Sequence, residues 1–314
     1  MEAYLGIDVG SVGIKLALID EKANVSNTFY ARNRGIIETV QEGLEQIIHN
    51  HQIKGVGVTG SGREFTAYLV GADIVKTEIL AHTIATLHQY PSVRTILDIG
   101  GEDCKIMSVR DGVLNNFIMN SVCGAGTGSV LDSVANRMGI STEEIGSLAL
   151  QSTEELSFPG KCGVFAQSSV VSRLNAGKAK SDILMGIVNA LVNNYLMLGR
   201  GIDLSPPYVY QEATAKNKAI VKALEKQLDS PIIVPEYCAE MGAIGIALLV
   251  RKSNITKTKF RGDNLKHKEY TTKSYSAEGC DNRCEISVIY EGEEYIGAIG
   301  NRCEKCIPRK MLLN

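Results

Sequence analysis

The 314 residues carry a net charge of −2, and 44% of them are hydrophobic. This charge argues against a nucleic acid or an anionic membrane as partner, and the length suffices for two lobes and an appendage. No run approaches the roughly 18 apolar residues of a membrane span, and a strand follows the first residue directly. We therefore expect a cytoplasmic protein that binds neither nucleic acid nor membrane, and whose eight cysteines serve metal ligation or redox work rather than disulfides.

The first predicted element, residues 4–20, is a strand, a tight turn and a second strand. Asp8 ends the first strand, a Gly/Ser turn follows, and Lys15 lies in the second strand. Backbone amides of such a turn suit a phosphate, with Mg²⁺ near the carboxylate. An ordinary hairpin is the alternative.

The same pattern returns in residues 97–109, where Asp98, Gly100 and Lys105 repeat the first set at one constant offset. A duplicated strand–turn–strand unit predicts two similar lobes with phosphate loops facing across a cleft. Helices predicted between the copies make this an α/β chain. On the second of these helices, His82 and His88 are interpreted as packing or surface residues rather than ligands.

Cys123, in the stretch 120–129, directly precedes a glycine-rich turn that is predicted to open a helix, and Cys162, in 161–167, lies at a second predicted helix start. The helices are predicted over about 126–138 and 164–175. Helix N-termini favour anions and lower the pKa of cysteine, so a phosphate or a thiolate-bound cluster is expected there. Two cysteines cannot complete a tetrahedral or cubane site. A metal here requires a second chain, and a two-fold axis would turn two thiolates into four.

After residue 252 the composition changes. Residues 253–279 are polar and predicted to be a linker, and residues 280–314 are predicted to form a small module around a hairpin over 285–299. Its C-x3-C…C-x2-C spacing resembles a zinc ribbon, with a second iron–sulfur cluster or uncoordinated thiols as alternatives. The four cysteines are Cys280, Cys284, Cys303 and Cys306. The remaining two, Cys104 and Cys238, are interpreted as packing residues.

The loops Asp8-Val-Gly10-Ser11 and Asp98-Ile-Gly100-Gly101 resemble the phosphate motifs of the acetate kinase/sugar kinase/Hsp70/actin superfamily. Within it, the motifs around Cys123 and Cys162 resemble the activators of 2-hydroxyacyl-CoA dehydratases, the BadF/BadG/BcrA/BcrD-type ATPases, over about 1–252. The resemblance implies an α/β fold of duplicated actin/ribonuclease-H-like lobes with a nucleotide cleft between them. Lobe I would span about 1–94, lobe II about 95–235 and a closing helix about 240–252.

The resemblance also implies a function, ATP-dependent one-electron reduction of a partner enzyme. In that family two subunits of a homodimer share one [4Fe-4S] cluster, and ATP/ADP binds with Mg²⁺. Ferredoxin or flavodoxin would be the donor. The iron–sulfur acceptor would be a 2-hydroxyacyl-CoA dehydratase, a benzoyl-CoA reductase or a double-cubane cluster protein, with a mild preference for the last.

The site residues follow by the same resemblance. Asp8 would orient Mg²⁺, Asp98 would hold the metal or position the attacking water, and Cys123 and Cys162 would ligate the shared cluster. The implied nucleotide-binding residues are Gly10, Ser11, Val12, Gly13, Lys15, Gly100, Gly101, Glu102, Asn217, Gly242 and Ala243.

Two departures from the family pattern concern the nucleotide pocket. Gln211-Glu212-Ala213 stands where the family has paired glycines, and Glu102 stands where a glutamine is common. Without glycine the backbone cannot approach a nucleoside as closely. Two other functions stay open: a small-molecule kinase, of sugars or amino sugars, and a non-catalytic nucleotide sensor.

Overall fold

The computed structural model describes residues 1–120, 127–158, 163–262, 265, 268–277 and 283–300, without the side chains of 163–167. By their internal contacts the residues form two units. The first unit is Met1–Ala81 with Gly242–Asn314, and the second is His82–Met241. The sequence-based lobe boundaries at about 94 and 235 stay predictions.

Strands and helices alternate through the first part of the chain, and their bounds are β1 Glu2–Val9, β2 Gly13–Ile19, β3 Val25–Arg32, α1 Ile36–Ile47, β4 Gln52–Thr59, α2 Arg63–Val70, β5 Ile74–Val75, α3 Glu78–Gln89, β6 Thr95–Ile99, β7 Cys104–Arg110 and β8 Val113–Met119. Helices dominate the next part, with bounds α4 Gly128–Met138, α5 Glu144–Ala149, α6 Gly163–Asn175, α7 Lys180–Leu198, β9 Tyr208–Gln211, a 3₁₀ turn Ala213–Lys216, α8 Lys218–Leu228, β10 Ile232–Ile233 and α9 Met241–Lys252. The described C-terminal elements are β11 Tyr270–Ser276, β12 Glu285–Glu291 and β13 Glu294–Ile299.

The two main sheets have the same connectivity. The first has the strand order β3-β2-β1-β4-β5, and the second has β8-β7-β6-β9-β10. In each sheet the first three strands along the chain pair antiparallel with their neighbours. The central strand, β1 or β6, pairs in parallel with the next strand, β4 or β9. The duplication predicted from the repeated motif is confirmed.

Helices cover both faces of the first sheet. Gly6 of β1 lies so close to α9 that an added Cβ would be 1.9 Å from the carbonyl oxygen of Ala243. On the opposite face, the Leu16 side chain of β2 lies against Gly43 of α1. Because both faces are covered, β2 is buried along its whole length, as expected for a sheet sandwiched between helices.

The core of the second unit is built around α7. By length and composition this helix could cross a membrane, with a mean hydropathy of 1.2, although the sequence analysis found no such run. Half of its apolar window is buried, and Ile187, Leu191 and Tyr195 pack in the apolar core of the unit. This burial is that of a core helix.

The C-terminal strands form a sheet with the order β11-β12-β13. The predicted hairpin is confirmed, and Gly292 in its turn has a positive φ of 60°. Strand β11 occupies the end of the segment predicted to be a linker. Gly297 of β13 lies against the ring of Tyr68 on α2, where an added Cβ would be 2.3 Å from the ring. The sheet is therefore docked on α2 of the same unit.

Candidate functional site

The first predicted phosphate loop joins β1 and β2. Asp8 is almost fully buried, and its Oδ2 lies 3.4 Å from the Nζ of Lys15, its cross-strand partner. The Gly10 N–H donates to the Gly13 carbonyl at 3.0 Å, which closes the turn, while Ser11 is exposed. The predicted tight turn above a buried carboxylate is present in the structure.

Two residues that the sequence analysis gave no role lie beside Asp8. Thr59, at the end of β4, is its parallel register partner, and the buried Thr59 hydroxyl has no hydrogen-bond partner within the described residues. Gly60 follows with a φ of +91°, and an added Cβ would be 2.6 Å from Asp8 Oδ1. Only glycine fits this close approach without strain.

The second phosphate loop repeats this geometry in the other unit. The Gly100 N–H donates to the Asp103 carbonyl at 2.9 Å. Asp98 is fully buried, and its Oδ1 lies 3.6 Å from the Nζ of Lys105. Burial raises the pKa of Asp98 above its ordinary value, since the charged form loses its water. Glu102 is exposed in the loop beside Gly101.

The hydroxyl of Tyr195 fixes the backbone beneath this loop. It accepts from the Asp98 N–H at 2.8 Å and donates to the Lys105 carbonyl at 2.7 Å. Tyr195 thereby ties α7 to the two strands that carry the carboxylate and the lysine.

His82 lies between two carboxylates rather than in an apolar environment. Its Nδ1 is 3.5 Å from Asp98 Oδ2, and its Nε2 is 3.5 Å from Glu212 Oε1. Its interpretation as a packing or surface residue missed this arrangement. No local pattern connects these three residues, because they come from α3, β6 and the turn after β9.

The segment that contains Cys123 is attached at both ends to the second phosphate loop. Before it, the Cys104 N–H donates to the Asn120 side-chain oxygen at 2.7 Å. After it, the first amides of α4 donate to the loop, Gly128 to the Gly100 carbonyl at 2.9 Å and Ser129 to the Gly101 carbonyl at 2.8 Å.

The helices predicted after the two cysteines are confirmed, as α4 and α6. Cys123 and Cys162 themselves lie outside the described residues, and so do Cys280, Cys303 and Cys306. Cys284 is described and buried, in a small cluster with Ile286 and Val288.

The interpretation of Cys104 and Cys238 as packing residues agrees with their burial. Burial raises the pKa of the Cys104 thiol to about 12 and raises the pKa of the Cys238 thiol. Since metal ligation needs the thiolate, neither environment suits a ligand.

The remaining predicted nucleotide residues lie at helix starts. The Asn217 side chain accepts from the Ala219 and Ile220 N–H groups at 3.0 and 3.3 Å and so caps α8. Gly242 and Ala243 are buried in the first turn of α9. Their contact with a nucleotide stays a prediction.

Comparison with known proteins identifies the relatives of this chain. The BadF/BadG/BcrA/BcrD ATPase family model matches residues 5–250. The "(R)-2-hydroxyglutaryl-CoA dehydratase activating ATPase" of Acidaminococcus fermentans is 31% identical over 254 residues, which are 79% of this chain and 96% of that protein.

Solved structures show the same relation. The activator of the 2-hydroxyisocaproyl-CoA dehydratase from Clostridium difficile, with bound ADPNP, has a TM-score of 0.75 and 30% identity over 79% of this chain and 94% of its own. A ROK family glucokinase from Streptomyces griseus, in complex with glucose and AMPPNP, has a TM-score of 0.53 at 13% identity, over 80% of this chain and all of its own. The glucokinase shows the fold alone. The predicted sugar-kinase-like α/β fold is therefore confirmed, while the C-terminal four-cysteine module lies beyond the matched residues.

Proposed function

The chain belongs to the BadF/BadG/BcrA/BcrD ATPase family, and on that premise we propose that it is an ATP-dependent one-electron reductase. A reduced ferredoxin or flavodoxin supplies the electron, and an iron–sulfur partner enzyme receives it. Hydrolysis of ATP drives the transfer.

The nucleotide part of the proposal assigns one phosphate loop to each unit. Buried Asp8 orients Mg²⁺ and its waters, and the amides of the Gly10–Gly13 and Gly100–Gly101 turns hold the β- and γ-phosphates. Asp98 positions the attacking water. The water oxygen bonds to the γ-phosphorus as the bond to the β–γ bridging oxygen breaks, giving ADP and inorganic phosphate that carries the released proton.

The cluster part of the proposal rests on the chemistry of the available thiols. Cys162 directly precedes α6, and Cys123 lies five residues before α4. Helix N-termini favour thiolates, whereas Cys104 and Cys238 are buried with raised pKa values. The former pair therefore suits a [4Fe-4S] cluster shared between two copies of the chain, which would supply the one-electron redox chemistry.

One observation carries the coupling between the two parts. The carbonyls of Gly100 and Gly101 accept the first amides of α4, and Cys104 holds Asn120 on the other side of the Cys123 segment. A change in the loop when phosphate is bound or lost would therefore displace both anchors of that segment. This gives ATP a mechanical route to the environment of the Cys123 thiolate.

The proposed acceptors follow from the names of the relatives, which are activators of 2-hydroxyacyl-CoA dehydratases. A benzoyl-CoA reductase, to which one relative belongs by name, and a double-cubane cluster protein are the other proposed acceptors. We further propose that residues 280–314 hold zinc, or a second cluster, and select the partner, with Cys284 as one of four ligands.

The test is the content of iron, acid-labile sulfide and zinc in anaerobically purified protein, measured with its mass in solution and its ATPase rate. We expect a dimer with about four iron atoms and about two zinc atoms. About twelve iron atoms without zinc would make the C-terminal module an electron relay. An iron-free protein after reconstitution would refute the reductase proposal, and phosphorylation of sugars by that protein would establish the kinase alternative.

A further inference from the structure

Glu212 has a backbone conformation that is essentially restricted to glycine. Its φ is 80° and its ψ is 167°, a region in which a side chain is strained. The equivalent position of the first unit, directly after the strand residue paired with the aspartate, is Gly60 with a φ of +91°. The duplicated fold thus places glycine at this corner in one unit and a buried glutamate in the other.

The Glu212 side chain is engaged with the imidazole of His82. Glu212 Oε1 lies 3.5 Å from His82 Nε2, and the opposite nitrogen, Nδ1, lies 3.5 Å from Asp98 Oδ2. Both His82 and Asp98 are at most 1% exposed. A single imidazole therefore connects the strained corner to the carboxylate at the end of β6.

Few hydrogen bonds hold the Asp98 carboxylate in its orientation. Within the described residues neither Asp98 oxygen has a hydrogen bond that meets normal geometry, and the same holds for His82 Nδ1 and for Gln211 Nε2 beside them. Gln211 is the register partner of Asp98, and its oxygen accepts from Thr86, one turn after His82 on α3. Unsatisfied polar atoms in one buried place indicate a site that binds water or a reacting group.

We propose that His82 and Glu212 are positioning residues for ATP hydrolysis: Glu212 holds the imidazole, and the imidazole orients the Asp98 carboxylate toward the attacking water. The proposal rests on the proposed function of Asp98. A glycine at position 212 would relieve the backbone strain but would leave His82 Nε2 without the carboxylate beside it.

The test compares Glu212→Gly and Glu212→Gln in the full, anaerobically purified chain, with ATP as substrate. Removal of a positioning contact misplaces the reacting groups, so we expect Glu212→Gly to lower kcat about 10- to 100-fold. The proposed positioning role gives Glu212 no contact with the nucleotide, so KM for ATP should stay within about twofold. Because the substitution relieves backbone strain, Tm is unchanged or raised. Glu212→Gln keeps an oxygen for His82 and restores part of kcat.

Two substitutions of His82 separate its contacts. His82→Asn places an amide nitrogen near the Nδ1 position facing Asp98, and His82→Gln places one near the Nε2 position facing Glu212. We expect His82→Asn to retain more activity, and Glu212→Gly to have no further effect when added to it. His88→Gln is the control, since His88 is exposed on the same helix, and it should hydrolyse ATP at the wild-type rate.

The outcomes distinguish this inference from the proposed function. If the unmodified chain hydrolyses ATP and Glu212→Gly keeps its kcat, the inference is wrong and the proposed function stands. A rise in KM with an unchanged kcat would make Glu212 a nucleotide contact and would also overturn it. An unmodified chain that neither binds nor hydrolyses ATP would refute both.

Discussion

Tyr195→Phe tests whether the backbone under Asp98 is held by a side chain of α7. The tyrosine is fully buried, and its hydroxyl satisfies the Asp98 N–H and the Lys105 carbonyl at 2.8 and 2.7 Å. Phenylalanine keeps the ring packing but leaves both backbone groups buried without this partner. At about 1–3 kcal/mol for each of the two unsatisfied groups, the free energy of unfolding should fall by about 2–6 kcal/mol.

The assay is urea unfolding followed by circular dichroism, with Tyr237→Phe as the matched control. Tyr237 is only partly buried, so its loss of a hydroxyl should change the free energy by less than about 0.5 kcal/mol. Burial raises the pKa of Tyr195 well above its ordinary value, so the hydroxyl stays protonated at any pH used. A loss below about 1 kcal/mol for Tyr195→Phe would refute the reasoning, because water or a backbone shift would then satisfy both groups.

Three further predictions concern pH, thiol reactivity and the C-terminal sheet. Backbone N–H groups of Glu154 and Thr153 lower the pKa of Asp182 below 3.8 in the folded protein. The ionised carboxylate therefore stabilises the fold fully above pH 3.8, and this stabilisation is lost as the pH falls through the lower pKa of the folded state. Asp182→Asn should make Tm fall less steeply at acid pH than it does in the unmodified protein, and equal slopes would contradict this. Because burial raises the pKa of the Cys104 thiol to about 12, iodoacetamide at pH 8 should label it only after unfolding, and peptide mass spectrometry of native protein showing modified Cys104 would refute its packing role. Gly297→Ala places a Cβ against the Tyr68 ring and should weaken the packing of the C-terminal sheet on α2. We expect trypsin to cleave residues 253–269 faster in this variant. Unchanged cleavage would show that the sheet does not depend on this contact.

The structure shows that the helix after Cys123 is hydrogen-bonded to the second phosphate loop, which the spacing of the cysteine motif did not predict. The sequence predicted that a helix follows Cys123, and the structure shows the start of that helix bonded to the Gly100 and Gly101 carbonyls. Spacing alone predicts the helix because glycine-rich turns and apolar periodicity are local. The partners of its first amides depend on how that helix is placed against the sheet.

The sequence by itself determined the duplicated hairpins, since Asp8 and Asp98 each precede a turn whose length pairs them with Lys15 and Lys105 across two strands. It also determined the family, because the cysteine motifs are contiguous. Local order along the chain is enough for both.

Only the tertiary structure decided what surrounds the two carboxylates. Thr59 lies beside Asp8 because β4 pairs with β1 in parallel, and His82 lies between Asp98 and Glu212 because α3 packs where β6 and β9 end. These neighbours come from distant parts of the chain, and a one-residue shift in strand register would turn their side chains to the opposite face. Packing, and not local pattern, therefore fixed the environment in which the carboxylates act.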